Sequence, residues 1–306
     1  MQLSMVGLGR MGGNMARRLR RGGIEVVGYN RSFEATRGLA QEVGIVPAKS
    51  MDELLERVAS PRIVWLMLPA GDATEQQIEQ LSRRLGGGDV VVDGGNAHYK
   101  DSMRRAAALT RAGIQFVDAG VSGGIWGLEN GYALMLGGER EAIRRIEPAV
   151  RVLAPAPDRG WLHCGPSGAG HFVKMIHNGI EYGMMQAYAE GFALLQGREE
   201  FGLDLAAIAE MWRHGSVVRS WLLDLTAEVL AGGREINSVE PYVADSGEGR
   251  WTVAEAVEQG VPAPVISLAL MTRFASQGKS DYAARLLALM RNRFGGHAVK
   301  GEAPEK

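Results

Sequence analysis

A chain of 306 residues, 46% hydrophobic and 23% charged, is long enough for two ordinary domains with buried cores. A net charge of −1 with no long basic run excludes nucleic acid and a membrane surface as principal partners. The single cysteine, Cys164, rules out an internal disulfide and, together with the absence of a His/Cys/Asp cluster at ligand spacing, argues against a metal site.

That cysteine usage fits a cytoplasmic setting. No apolar run reaches the roughly 18 residues that cross a bilayer, and the start of the chain reads as strand rather than as a leader. Apolar strands are predicted at Gln2–Val6, Glu25–Tyr29, Arg62–Leu68, Asp89–Asp93, Gln115–Asp118 and Tyr132–Leu136. Amphipathic helices are predicted between most of them, at Gly12–Arg21, Met51–Ala59, Thr74–Leu85, Lys100–Arg111 and Arg140–Leu153. The alternation predicts an α/β fold, a doubly wound and largely parallel sheet covered on both faces.

The Pro- and Gly-rich run over residues 154–170 breaks this pattern, and the domain boundary is placed within it, giving domains 1–165 and 166–306. Beyond it strand signals stop. Residues 168–197 read as one long helix. The remainder is helical, with breaks at Gly232–Gly233, Asp245–Gly249 and Pro262–Pro264, then a Gly-containing tail from Phe294 to Lys306. Met184, Met185 and Met211 read as core filler.

Gly7-Leu8-Gly9-Arg10-Met11-Gly12 is a GxGxxG that follows a strand and opens a helix, the context a dinucleotide-binding turn requires. Its glycines allow the tight turn, backbone approach to a pyrophosphate and close helix–strand packing. The helix start offers N–H groups to the phosphates. After the second strand come Asn30, Arg31 and Ser32, where an enzyme preferring NAD usually carries a carboxylate for the ribose 2′-hydroxyl. A guanidinium and a hydroxyl suit a 2′-phosphate, so NADP is expected over NAD, with NAD possible. The expected cofactor set is Gly7, Leu8, Gly9, Met11, Gly12, Asn30, Arg31, Ser32, Leu68, Pro69 and Asn96.

Two further Gly-rich turns, Val92-Asp93-Gly94-Gly95-Asn96 and Asp118-Ala119-Gly120-Val121-Ser122-Gly123-Gly124, end strands where doubly wound sheets bind ligands. Asn96 and Ser122 offer neutral hydrogen bonds to a carboxylate or hydroxyl. In the long helix, His177, Asn178 and Glu181 fall about 60°, 40° and 20° from Lys174 around the axis. A base and an acid thus face one way, two turns apart. Phe172, Val173, Met175, Ile176 and Ile180 predict that this helix is buried.

The segments GLGRMGGN, NRS, VDGGN, DAGVSGG, GAGHFVKMIHNGIEYGMMQ and DSGEGRW, in this order, resemble the 6-phosphogluconate dehydrogenase family, the decarboxylating enzymes of the pentose phosphate pathway, within the 3-hydroxyacid dehydrogenase superfamily. The resemblance runs from residue 1 to about 297 and is to the short class of the family. It implies a Rossmann-like NADP-binding domain followed by an all-α substrate and oligomerisation domain. It implies catalytic roles for Lys174 and Glu181, and substrate contacts from Asn96, Ser122, Gly123, Gly124, His177, Asn178, Tyr182 and Arg273. Arg291 and His297 resemble tail residues that reach into a neighbouring subunit's site, which implies a homodimer or homotetramer. Longer members carry a phosphate-contacting lysine in the loop matching Asp245–Trp251; whether Arg250 takes that role here stays open.

The chemistry suits these residues. Oxidising a 3-hydroxy acid needs a base for the hydroxyl proton, a role open to Lys174 when burial lowers its pKa. Protonated Lys174 can then stabilise the enolate as carbon dioxide leaves, and Glu181 can protonate the enediol carbon. One rival is a non-decarboxylating 3-hydroxyacid dehydrogenase of the hydroxyisobutyrate type, and another is a non-catalytic NAD(P)-sensing protein.

Overall fold

The computed structural model describes residues 1–232, 236–295 and 299–300. By compactness the chain divides into two units, Met1–His177 and Asn178–Lys306.

The first unit runs β1 (Gln2–Val6), α1 (Arg10–Arg21), β2 (Glu25–Tyr29), α2 (Phe33–Val43), β3 (Val46–Ala48), α3 (Met51–Glu56), β4 (Ile63–Leu66), α4 (Asp72–Ser82), β5 (Val90–Asp93), α5 (Tyr99–Arg111) and β6 (Gln115–Ser122). It continues with α6 (Gly127–Asn130), β7 (Ala133–Gly138), α7 (Arg140–Leu153), β8 (Trp161–Gly165) and the start of α8 (Ala169–Gln196). The strands form one sheet in the order β3-β2-β1-β4-β5-β6-β7-β8, parallel except for the β6–β7 pair.

Strand residues alternate between two cores. Leu3, Met5, Trp65 and Val92 pack with Met15 and Leu19 of α1 and with Ile146 and Val150 of α7. Val6, Val64, Leu66 and Val91 pack with Leu54 of α3, Leu81 of α4 and Leu109 of α5. This is the double winding that apolar runs in parallel strands produce, since both faces of each strand are buried. The chain order reverses at β1, which pairs with both β2 and β4, and ligands bind at such a switch point.

The structure adds β3, α2, α6 and β8 to the elements predicted for the first unit. β3 is only three residues long, and α2 buries only Thr36 and Leu39, so neither stands out by an apolar pattern. β8 lies inside the Pro- and Gly-rich run and pairs with β7. Strand β6 also extends past Asp118 to Ser122, carrying the Gly-rich segment into the sheet.

Composition changes at residues 154–170, whereas the compact units separate inside α8. The reason lies in the first turns of α8. A Cβ on Gly170 would collide with the carbonyls of Met135 and Asp118, so the helix start is seated directly on β6 and β7.

The second unit holds the rest of α8, then α9 (Leu205–Arg213), α10 (Trp221–Ala231), α11 (Glu248–Gln259), α12 (Pro264–Ser276) and α13 (Asp281–Gly295). Phe192, Ala209, Leu223 and Ala227 form one small core, and Tyr182, Ala269 and Leu270 another. The expectation that apolar residues bury α8 is corrected at Val173 and Ile180, which are exposed, and the reading of Met184, Met185 and, on α9, Met211 as core filler is corrected likewise. The polar stripe takes the buried side instead, because Lys174 and Asn178 are buried and share a face with Met175 and Tyr182.

Candidate active site

In the first unit, the GxGxxG turn has the geometry its residues imply. Gly7 has φ +89°, and a Cβ there would collide with the carbonyl of Met67 just beyond β4. A Cβ on Gly12 would collide with the Gly7 carbonyl. Gly9 caps α1 with nothing within 4 Å of its would-be Cβ. The first turn of α1 carries no acidic residue and no side-chain cap, which leaves its positive dipole end uncompensated by a side chain. These features fit a dinucleotide pyrophosphate.

Asn30 serves this turn from the end of β2, where its Oδ1 accepts a hydrogen bond from the Leu8 N–H at 3.2 Å. Arg31 and Ser32, next along, are exposed. On the far side, Leu68 and Pro69 follow β4, and the Pro69 carbonyl accepts a hydrogen bond from Thr74 Oγ1 at 2.8 Å.

The loop after β5 is held from below. Asp93, fully buried, accepts a hydrogen bond from the Gly95 N–H at 3.2 Å and pairs with Arg105 Nη1 at 3.1 Å. Arg105 also pairs with Glu75 at 2.9 Å, and Glu75 with Arg104 at 2.6 Å. Asn96, one residue beyond this anchor, is exposed.

Lys174 is seated by β6. Asp118, fully buried, accepts hydrogen bonds from the N–H groups of Gly168 at 2.6 Å and His171 at 2.9 Å, capping the start of α8. His171 Nδ1 lies 2.7 Å from Ser102 Oγ. One turn on, Lys174 crosses β6 over Gly120, where a Cβ would collide with the lysine side chain. Lys174 is 7% exposed. At the end of β6, Ser122 Oγ lies 3.5 Å from His177 Nε2. Gly123 and Gly124 both take positive φ, +134° and +53°, which turns the chain away from the sheet.

In the second unit, Asn178 and Tyr182 are buried, and Glu181 is half-buried. Arg273 of α12 stacks its guanidinium 3.5 Å above the Tyr182 ring and donates to the Ala244 carbonyl at 3.0 Å. Gly249 opens α11 against the same ring, since a Cβ there would collide with it. The Tyr182 hydroxyl is buried without a hydrogen-bond partner among the described residues. Arg250 pairs with Asp245 and stacks 4.5 Å over Phe274. Arg291 is exposed on α13. His297, Gly233 and most of the tail lie outside the described residues.

Sequence reasoning overlooked Gly120, Asp118 and the Asp93–Arg105 pair as supports. A glycine inside a strand marks close approach by another backbone or side chain, and that signal could have found Gly120.

Residues 2–164 match the NAD binding domain of 6-phosphogluconate dehydrogenase, and residues 170–301 match the 6-phosphogluconate dehydrogenase C-terminal domain. The chain belongs to the 6-phosphogluconate dehydrogenase family. A protein of Haloferax volcanii named as an NAD(+)-dependent, decarboxylating 6-phosphogluconate dehydrogenase is 44% identical over 98% of this chain and 98% of its own. The Plasmodium falciparum 6-phosphogluconate dehydrogenase, solved apo, with NADP+ and with 6-phosphogluconate, matches with TM-score 0.85 at 27% identity, over 100% of this chain and 67% of its own. A 3-hydroxyisobutyrate dehydrogenase of Salmonella typhimurium matches with TM-score 0.74 at 23% identity, over 91% and 95% of the two chains, a likeness of fold alone. Members of the family are oxidoreductases that use a nicotinamide dinucleotide, and the geometry of the Gly7–Gly12 turn suits that cofactor.

Proposed function

We propose that this chain oxidises and decarboxylates 6-phosphogluconate to ribulose 5-phosphate and carbon dioxide, reducing NADP+ in preference to NAD+. The observation that carries the reading is the seat of Lys174, buried over Gly120, one turn past a helix start capped by Asp118. Burial of a lysine at that place supports a reacting group over a solvated surface charge.

Lys174 takes the proton of the substrate's 3-hydroxyl. The Gly7–Gly12 turn would hold the pyrophosphate of the dinucleotide, whose nicotinamide would supply the acceptor for the hydride leaving the same carbon. The product is a β-keto acid, and protonated Lys174 hydrogen-bonds its ketone oxygen. The bond to the carboxyl carbon then breaks, its electron pair passes to the enolate, and carbon dioxide leaves. Glu181 delivers a proton to the enediol carbon. Asn96, Ser122, Gly123, Gly124, His177, Asn178 and Tyr182 hold the substrate, with Arg273 and Arg291 on its phosphate.

Relatives carry both cofactor names. NADP is favoured here by Arg31 and Ser32, both exposed, with no carboxylate among residues 28–32. Residues 1–165 form the cofactor domain, which also lends Asn96, Ser122, Gly123 and Gly124 to the substrate, and residues 166–306 form the substrate and oligomerisation domain. The assembly is a homodimer or homotetramer in the cytoplasm, with His297 of the tail completing a partner's site. Exposed apolar side chains of the helical unit, among them Val265, Leu268, Leu287 and Tyr282, support a subunit interface. No helix among the described residues is long and apolar enough to cross a membrane.

An absorbance assay for NADPH with 6-phosphogluconate, coupled to detection of carbon dioxide, tests the reading. Reduction without carbon dioxide would favour a hydroxyisobutyrate-type enzyme, and no reduction with either cofactor would leave the sensing protein.

A further inference from the structure

The two binding segments of the first unit are tied together by one face of a helix. Helix α1 begins at the cofactor turn. Asn14, Arg18 and Arg21 share one face of it, falling within about 60° of one another around the axis. All three reach the segment that follows Gly123 and Gly124. Asn14 Nδ2 donates to the Ile125 carbonyl at 3.5 Å, and Arg21 pairs with Glu129 at 2.8 Å.

Arg18 does most. Its Nη1 donates to the carbonyls of Leu128 and Glu129 at 3.1 and 3.2 Å. Its Nε donates to Val152 and its Nη2 to Ala154, at 2.9 and 2.7 Å. These carbonyls lie in α6 and at the end of α7, so one guanidinium supplies a positive charge and four donor contacts to the C-terminal ends of two helices. Beneath the same segment lies Tyr132, fully buried, against which the glycine at 127 packs so closely that a Cβ would collide with the ring. The Gly123–Gly131 segment thus has a floor, Tyr132, and a clamp, Arg18, and the clamp belongs to the cofactor helix.

We propose that Arg18 is a positioning residue that couples occupation of the cofactor turn to ordering of the Gly123–Gly131 segment, so that cofactor binding pre-forms the substrate loop. The role assigned to that loop rests on the function proposed above; the physical link from α1 to the loop does not. A lysine cannot replace Arg18, because an ammonium on a flexible stem lacks the planar fork that spans both helix ends. The loop loses its clamp while the cofactor turn, about two helical turns away, keeps its own glycines and N–H groups.

Amide hydrogen exchange on the full chain, with NADP+ as the only added ligand, reads the coupling directly. In the native protein NADP+ slows exchange both at residues 7–14 and at residues 123–131. In Arg18→Lys the slowing persists at 7–14 and is lost at 123–131. Protection confined to 7–14 in the native protein overturns the proposal whether or not the variant folds. Kinetics supply the second readout: in Arg18→Lys the KM for 6-phosphogluconate rises about tenfold or more, while the NADP+ Kd stays within about twofold. Equal losses for both ligands mean general cement and overturn it too. A native protein that binds NADP+ with coupled protection yet does not turn over 6-phosphogluconate strikes the proposed function and leaves the coupling standing.

Discussion

Gly120 and Lys174 occupy one space: a Cβ on residue 120 would sit inside the side chain of Lys174 and 3.0 Å from the Gly170 carbonyl. The strand is bare at that point so that the helix above it can bring a lysine down close to the sheet. Gly120→Ala therefore pushes α8 away from β6. Because a misplacement of roughly 1 Å can cost about 100-fold in rate, kcat should fall by about that factor while the NADP+ Kd barely moves. Steady-state kinetics beside a cofactor titration check this, and an unchanged kcat would mean the close approach is not used.

Lys174→Ala should fold and bind cofactor but lose oxidation by about 10²–10⁴-fold, the range of general-base catalysis. Retention of more than about a tenth of the native rate rules out the base role. Glu181→Gln should spare hydride transfer more than the final protonation, so a burst of NADPH ahead of slow turnover is expected in stopped flow.

Arg31→Ala tests the cofactor preference. Loss of the guanidinium should lower kcat/KM for NADP+ about tenfold or more and leave that for NAD+ within about twofold. A native enzyme that already prefers NAD+ would sink the assignment before any variant is made.

Tyr182→Phe separates substrate contact from packing. The hydroxyl is buried with no hydrogen-bond partner among the described residues, so its removal should leave the Tm unchanged or slightly raised. If the hydroxyl meets the substrate, kcat/KM for 6-phosphogluconate should still drop about tenfold. A stable variant with native kcat/KM would show that Tyr182 only supports Arg273, which stacks 3.5 Å above it.

Acid stability should depend on Glu75. The Arg104 side chain, followed by Arg105, holds its carboxyl down at about 2, against an ordinary 4.5. A carboxyl depressed in the folded state stabilises the fold above its ordinary pKa, and that contribution is lost as pH falls from 4.5 toward about 2. Glu75→Gln should therefore lie below the native Tm near neutrality and converge with it across that window. Parallel Tm curves for the two proteins would refute the pairing.

The sequence by itself determined the cofactor turn, the double winding of the sheet, the long helix and the alignment of Lys174, Asn178 and Glu181 along it. These rest on short-range rules: a glycine pattern at a strand end, strand and helix periodicity, and about 100° of rotation per helical residue. Only the tertiary structure decided what holds those residues in place. Asp118 caps α8 from a distant strand, Gly120 clears space for Lys174, and Asp93 with Arg105 anchors the loop before Asn96. Asn30 accepts from Leu8, 22 residues earlier in the chain, and Arg18 joins α1 to the ends of two later helices. The exposure of Val173, Ile180, Met184 and Met185 was likewise illegible in the sequence, where an apolar residue looks the same on either side of a helix. Each of these depends on which segments fold against one another, and no local pattern encodes that.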